Sequence, residues 1–236
     1  VRTHMVGDRP ADLSDVHVDA QLPMGHLMHL YRKKIDDFMT HRQPYFKADP
    51  ERVAYYAKRI QRLGRQAIDG KRRFRVGLMW GSNPAAVSAK FSRWTHQRSI
   101  PLNTLLPLVD MLEDIEFISL QNQERGSEAA TAPQLDIVDF SLDQADFYDT
   151  AALISNLDLV ISVDTSVSHL AGGMGVPTWV PLMKRADWRH GRTREHSIWY
   201  DQTRYFRQAQ ANDWQAVVQA MHDALHALID EKKAQP

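Results

Sequence analysis

The stretch "DTAALISNLDLVISVDTSVSHLAGGMGVPTWVPL", residues 149–182, decides the fold. "LVISV" and "PTWVPL" are short and apolar, without the polar alternation of a half-exposed strand. Between and before them, "DTAALISNLD" and "SHLAGGMG" read as helices. The same alternation extends upstream through "FRVGLMW" as a strand, "PLNTLLPLVDMLED" as a helix and "IEFISLQ" as a strand. Strands that alternate with helices and are apolar on both faces predict an α/β domain built on a doubly wound, Rossmann-like parallel sheet.

Outside that block the signals are mostly helical. "KADPERVAYYAKRIQRLG" carries strong boundaries: Asp49 can cap it, Pro50 suits the first turn and Gly64 can end it. "GHLMHLYRKKIDDFM" has helical spacing at Leu27, Leu30, Ile35 and Phe38, and "DVHVDAQLP" reads as a short strand with its exit loop. The basic run "DGKRRFR" is most simply a solvated linker into the first sheet strand. A last helix is expected from about Asn212 to Glu231, with Trp214, Val217, Val218, Met221, Leu225, Leu228 and Ile229 on one stripe. That helix packs along its own domain or crosses to a second copy, so a homo-oligomer is an open expectation.

Composition bounds the function. With 236 residues, 43% of them hydrophobic, the chain can bury a sizeable core. Its 29 Lys and Arg balance 29 Asp and Glu, so no global field points to nucleic acid or an anionic membrane. There is no cysteine, hence no disulfide, thiolate metal site or cysteine nucleophile, and a cytoplasmic location is the expectation. No apolar run is long enough to span a bilayer, because Asp158, Asp164 and His169 interrupt the greasiest region. The opening "VRTHMVGDRP" has no secretory pattern, and its start on Val suggests a piece of a longer protein.

In open parallel sheets, ligands sit beyond the carboxyl ends of the strands, where helix N-termini offer unpaired N–H groups. Four loops qualify, those after Trp80, Gln121, Val163 and Leu182, and three of them are rich in site chemistry. "GSNPAAVSAKFSRWTHQRSIP" brings Gly81, Ser82 and Asn83, then Lys90, Arg93 and Arg98, groups able to bond phosphate or sugar and neutralise a diphosphate. As a bare loop it is equally readable as flexible and solvated. "VDTSVSH" places Asp164, Thr165, Ser166 and His169 at the exit of the central strand. Thr165 or Ser166 can cap the helix, and His169 shares a helical face with Thr165. This convergence favours an anionic ligand over a set of simple caps. "MKRADWRHGRTREHSIWY" gathers Lys184, Arg185, Asp187, Trp188, Arg189, His190 and Arg192. It reads as a solvated loop, an RNA patch or the lip of a phosphate pocket, and its place after a strand favours the pocket.

Other chemistries find less support. No Walker pattern, GxGxxG or G-x-S-x-G elbow occurs, which weakens readings as an ATPase, a dinucleotide-binding enzyme or a serine hydrolase. The 11 histidines are scattered, and His190 and His196 lack an arranged carboxylate, so no metal site is expected.

The segments "RVGLMWGSNP", "QRSIPLNTLLPL", "FISLQNQE", "DFYDTAALISNLDLVISVDTSVSHLAGGMGVPTWVPL", "DWR", "SIWY" and "RYFRQ" occur in an order that resembles the C-terminal half of certain bacterial glycosyltransferases. These are related to heptosyltransferases and are often linked to tetratricopeptide repeats. The resemblance implies a GT-B architecture, in which residues 71–236 form the nucleotide-sugar domain and residues 1–70 are the remnant of an acceptor-side domain with a linker helix. It implies a nucleoside-diphosphate sugar as donor, a protein or glycan acceptor, and no cofactor or metal. Asp164, Thr165, Ser166 and His169 would line the donor site, with Ser82, Asn83, Asp187 and Arg189 at its rim. Arg98 and Lys90 would face the leaving diphosphate, and Gln121 and the turn at Asp149 the ribose or base.

Two departures stand out. Gln97 occupies a position where relatives carry Lys, and the family's glycine-rich acceptor loop, the source of its catalytic base, finds no counterpart in these residues. The general base is therefore unassigned. Two other readings remain: a GT-B-fold sugar-nucleotide epimerase, and a non-catalytic nucleotide-binding or assembly module. RNA binding through residues 184–194 is a remote third.

Overall fold

A computed structural model describes residues 17, 19, 22, 24–40, 42–64, 72–82, 94–121 and 123–234. Two compact units divide between His41 and Arg42. In the first, α1 (Met24–Tyr31) and α2 (Asp36–Met39) form separate helices where a single run is expected. The break has a local cause, because the Asp37 carboxylate accepts from the backbone N–H groups of Lys33 and Lys34 and holds a turn ahead of the second helix. Most of "DVHVDAQLP" lies outside the described residues.

The second unit begins with α3 (Pro50–Leu63). Asp49 caps it by accepting from the Arg52 N–H, Pro50 fills its first turn and Gly64 closes it, as its sequence predicts. The main elements that follow are β1 (Phe74–Met79), a ten-residue 3₁₀ helix (Leu102–Met111), β2 (Ile115–Ser119), α4 (Gln123–Gly126), α5 (Phe147–Ile154), β3 (Leu159–Ser162), α6 (Ser166–Gly173), β4 (Thr178–Leu182), β5 (Thr203–Arg207) and α7 (Trp214–Ala234), with short 3₁₀ turns at Ser127–Thr131, Pro133–Leu135 and Trp188–His190. The helix expected over "PLNTLLPLVDMLED" is present and is of the 3₁₀ kind. Pro107 removes a backbone donor inside it, and its buried residues Leu102, Leu105, Leu108 and Met111 recur every third position, the period of a 3₁₀ turn.

All five strands are parallel, in the order β2-β1-β3-β4-β5. This is a doubly wound, Rossmann-like sheet whose strand order reverses between β1 and β3. Alternate residues serve opposite faces. Val76, Leu78, Trp80, Phe117, Leu159 and Ile161 join the 3₁₀ helix and α7, whereas Met79, Ile118 and Val160 join α3, α5 and α6. Phe117 is fully buried, and burial of such a side chain contributes about 1.5–3 kcal/mol. β5 is absent from the sequence-based pattern. Its strand is short, and its two arginines mask the apolar pair Tyr205 and Phe206. Among the described residues, no helix is long and apolar enough to cross a membrane.

Candidate functional site

The strand-order reversal puts the ends of β1 and β3 side by side, and the polar residues after each strand meet there. Arg98 bridges them, donating through one terminal nitrogen to Ser82 Oγ and through the other to the Asp164 carbonyl at 2.9 Å. Its guanidinium lies over the Trp94 ring at 4.3 Å, which fixes the planar group. Gly81 lies beside it, and a Cβ there would displace the Arg125 guanidinium, which donates to Ser82 O and Ser99 Oγ.

Asp164 is buried and faces two histidines. His190 Nε2 lies 3.1 Å and His169 Nε2 3.8 Å from its Oδ1. The His190 contact is an ion-pair distance, off the line of a straight hydrogen bond, and no hydrogen bond to its Nδ1 occurs among the described residues. The imidazoles lie nearly parallel, 11° apart with centroids at 6.2 Å. Tyr205 holds the other side of His190 edge-on, while Tyr200 Oη sits 3.1 Å from His169 Nδ1.

Burial alone would raise the Asp164 pKa. The His190 contact outweighs it, with the charges of His190, Arg189 and His169, and the carboxyl is held below its ordinary range. Burial, reinforced by Arg189, lowers the His169 pKa against the pull of Asp164. The result is one ionised carboxylate inside a ring of nitrogen groups. Buried Arg98 Nε and His169 Nε2 also lack hydrogen-bond partners among the described residues. Buried donors of this kind carry a desolvation penalty that an anionic ligand would remove.

The remaining predicted residues occupy varied places. Thr165 stands at the N-cap of α6, but its hydroxyl pairs with Ser162 Oγ at 3.1 Å and makes no helix cap. Ser166 is exposed in the first turn. Asp187 accepts from the Arg189 backbone N–H and, at 2.9 Å, from its Nε, so the two form a fixed pair whose charges reach the site. Gln121 is fully buried, and both ends of its amide bond the Gly81 backbone at 3.1 Å. Asp149 is paired with Arg52 and accepts from Ala145 N, which ties α3 to α5. Asn83, Lys90 and Arg93 lie outside the described residues.

A cleft of about 710 Å³ opens beside this cluster and touches it through Ser166 and His169. Its other walls include Tyr45, Phe46, Phe147, Tyr148 and Tyr200. Mostly apolar walls with a few polar groups at one end are the usual make-up of a small-molecule cleft. Gly172 and Gly173 leave room for two of these wall rings, since added Cβ atoms would lie 2.5 Å from Tyr200 and 2.7 Å from Phe46. Sequence reasoning left out His190, Tyr200 and the Tyr45–Phe46 pair as site members. His190 carries a signal, because it follows Asp187 and Arg189 in a loop already marked as a pocket lip. Tyr200 carries none, because only packing on Gly172 brings it to His169.

No family model matches the sequence. Protein FlbA of Caulobacter vibrioides is 28% identical over 191 residues, 78% of this chain. Among solved structures, the Escherichia coli ADP-heptose LPS heptosyltransferase II superposes with a TM-score of 0.56 at 11% identity over 81% of the chain. The glycosyl transferase family 9 protein of Veillonella parvula gives 0.56 at 12% identity over 79%. The chain spans 29% of the Caulobacter protein and 55% and 54% of the two solved chains. At these identities the shared property is the architecture: this chain carries the α/β, Rossmann-like fold found in those glycosyltransferase structures.

Proposed function

We propose that this chain is the donor-binding portion of a GT-B-type, metal-independent glycosyltransferase that moves a sugar from a nucleoside-diphosphate donor to a hydroxyl of a protein or glycan. The observation that carries the reading is the Arg98 bridge across the β1/β3 reversal, next to His169, His190 and Arg189. Diphosphate charge develops as the glycosidic bond breaks, and fixed cations at that place stabilise it without reorganisation. Asp164 acts behind them. Its carboxylate holds the two imidazoles beside the site, where a ring N–H donates to a phosphate oxygen. The aromatic cleft offers faces on which a base or sugar stacks. In this reading residues 71–236 hold the donor with Tyr45 and Phe46 as part of the cleft wall, the rest of residues 1–70 leads in from the acceptor side, and the general base comes from outside the residues assigned here. The glycosyltransferase fold of the two solved structures supports the same assignment, and a cytoplasmic setting suits a chain without cysteine.

Isothermal titration with nucleoside diphosphates of different bases tests the reading. One of them should bind, and Arg98→Ala should weaken it about tenfold or more, the loss of a charge-assisted bond of about 1.5–3 kcal/mol. Arg98→Lys should recover only part of the affinity, because a point charge cannot span both partners. The reading fails if no nucleoside diphosphate binds, or if Arg98→Ala binds as tightly as the parent.

A further inference from the structure

Away from the sheet's carboxyl edge, the outer rim between α7 and the 3₁₀ helix gathers three side chains of metal-ligand type. His222 and His226 stand one turn apart on α7, and Asp110 comes from the 3₁₀ helix. Asp110 Oδ2 lies 3.0 Å from His222 Nε2 and 3.6 Å from His226 Nε2, and the donor atoms of all three residues fall within 4.8 Å of one another. A tetrahedral ion with bonds of about 2.0–2.1 Å spaces its donors by about 3.3 Å, a value those two separations bracket.

A second observation concerns the other edge of the ring. His222 Nδ1 lies 3.2 Å from Asp223 Oδ1, and that oxygen also accepts from Gln219 Nε2 at 2.8 Å. Such a carboxylate fixes the tautomer of a metal-bound imidazole and raises its basicity. With the proton on Nδ1, the Nε2 lone pair of His222 points at the Asp110 carboxylate. A cation entering between them takes the place of the second proton that His222 needs to donate to both Asp110 and Asp223.

We propose that Asp110, His222 and His226 bind a late first-row divalent ion, zinc foremost, which staples α7 to the 3₁₀ helix. Two imidazoles and one carboxylate suit Zn²⁺, Ni²⁺ or Cu²⁺, and they do not suit Mg²⁺ or Ca²⁺, which take oxygen ligands. The side chains of Asp110 and His226 are 59% and 46% exposed, so water can complete the coordination. Beneath the rim, Leu108 and Met111 already pack with Met221 and Leu225 in the core. The ion adds a clamp that links the C-terminal helix to the sheet's cover.

Protein free of any affinity tag should be titrated with Zn²⁺ and, separately, with Co²⁺ and Mg²⁺. The expected result is one saturable Zn²⁺ per chain, the visible band of tetrahedral Co²⁺, and a thermal midpoint that rises with Zn²⁺ and falls back with chelator. Asp110→Asn and His226→Gln, on exposed side chains, should each weaken Zn²⁺ at least about tenfold while leaving the metal-free midpoint near that of the parent. The absence of saturable Zn²⁺ binding would overturn the proposal. So would affinity undiminished in the His222→Ala/His226→Ala double variant, which would put the ion elsewhere, or Mg²⁺ binding as tight as Zn²⁺.

Discussion

Asp164 is an acid set among nitrogen groups, and its own titration and that of His169 are both displaced. His169 has its folded-state pKa lowered by burial and then by Arg189, below the value of about 6.5 of an unfolded chain. Between those two values the unfolded state binds more protons, so stability rises with pH through the window. The His169 contribution is fully present above about pH 6.5 and is lost as pH falls toward the folded value. Asp164, also lowered, contributes above its unfolded value of about 3.9 and loses that contribution only as pH falls through its folded pKa. The decline in thermal midpoint between about pH 7 and pH 5 should therefore shrink in His169→Gln. Asp164→Asn should steepen it, since the carboxylate is what opposes the lowering. An unchanged slope in His169→Gln, measured against the parent, would refute this assignment. Asp164 and His169 were legible as site candidates because a strand end and one helical turn place them together. His190 joins them only through the path of the loop after β4.

Among the elements, α6 shows how composition follows from neighbours. Its glycines give room for aromatic rings: Tyr200 lies against Gly172 and Phe46 against Gly173. Both rings line the cleft, and Tyr200 also holds His169. Gly172→Ala places a methyl 2.5 Å from the Tyr200 ring, and overpacking of this kind should cost about 1–3 kcal/mol in urea unfolding. The same variant should weaken nucleoside-diphosphate binding, because the displaced ring releases His169. If the stability of Gly172→Ala equals that of the parent, the contact does not have this role. The 3₁₀ helix over Leu102–Met111 was half legible. Its apolar content predicted a helix, but the spacing of three and Pro107 set the tighter turn. β5 was not legible, since an edge strand of five residues with two arginines gives too weak a pattern to read alone.

At the scale of the molecule, one sheet divides two cores. Phe117 belongs to the face covered by the 3₁₀ helix and α7, and Leu153 to the face covered by α3, α5 and α6. Truncation of either leaves a cavity: Phe117→Ala should cost about 3–5 kcal/mol and Leu153→Ala about 2–5 kcal/mol. Because the two residues share no cluster, their losses should add within about 0.5 kcal/mol in the double variant. Denaturant unfolding of the single variants and the double variant checks this, and a large deviation would mean that the sheet transmits strain between its faces.

What the sequence determined by itself is local in origin. The β1 to β4 strands, the α3 cap by Asp49 and the helices after each strand follow from periodicity, turn chemistry and capping, which depend on residues within a few positions of one another. The parallel sheet follows from the alternation of those elements. Side-chain partnerships across the chain needed the tertiary structure. It decided that the Gln121 amide is spent on Gly81, that Thr165 bonds Ser162 in place of a cap, and that Asp110 meets His222. Strand order brings such groups together, and no spacing in the sequence encodes a contact that depends on which strand lies beside which.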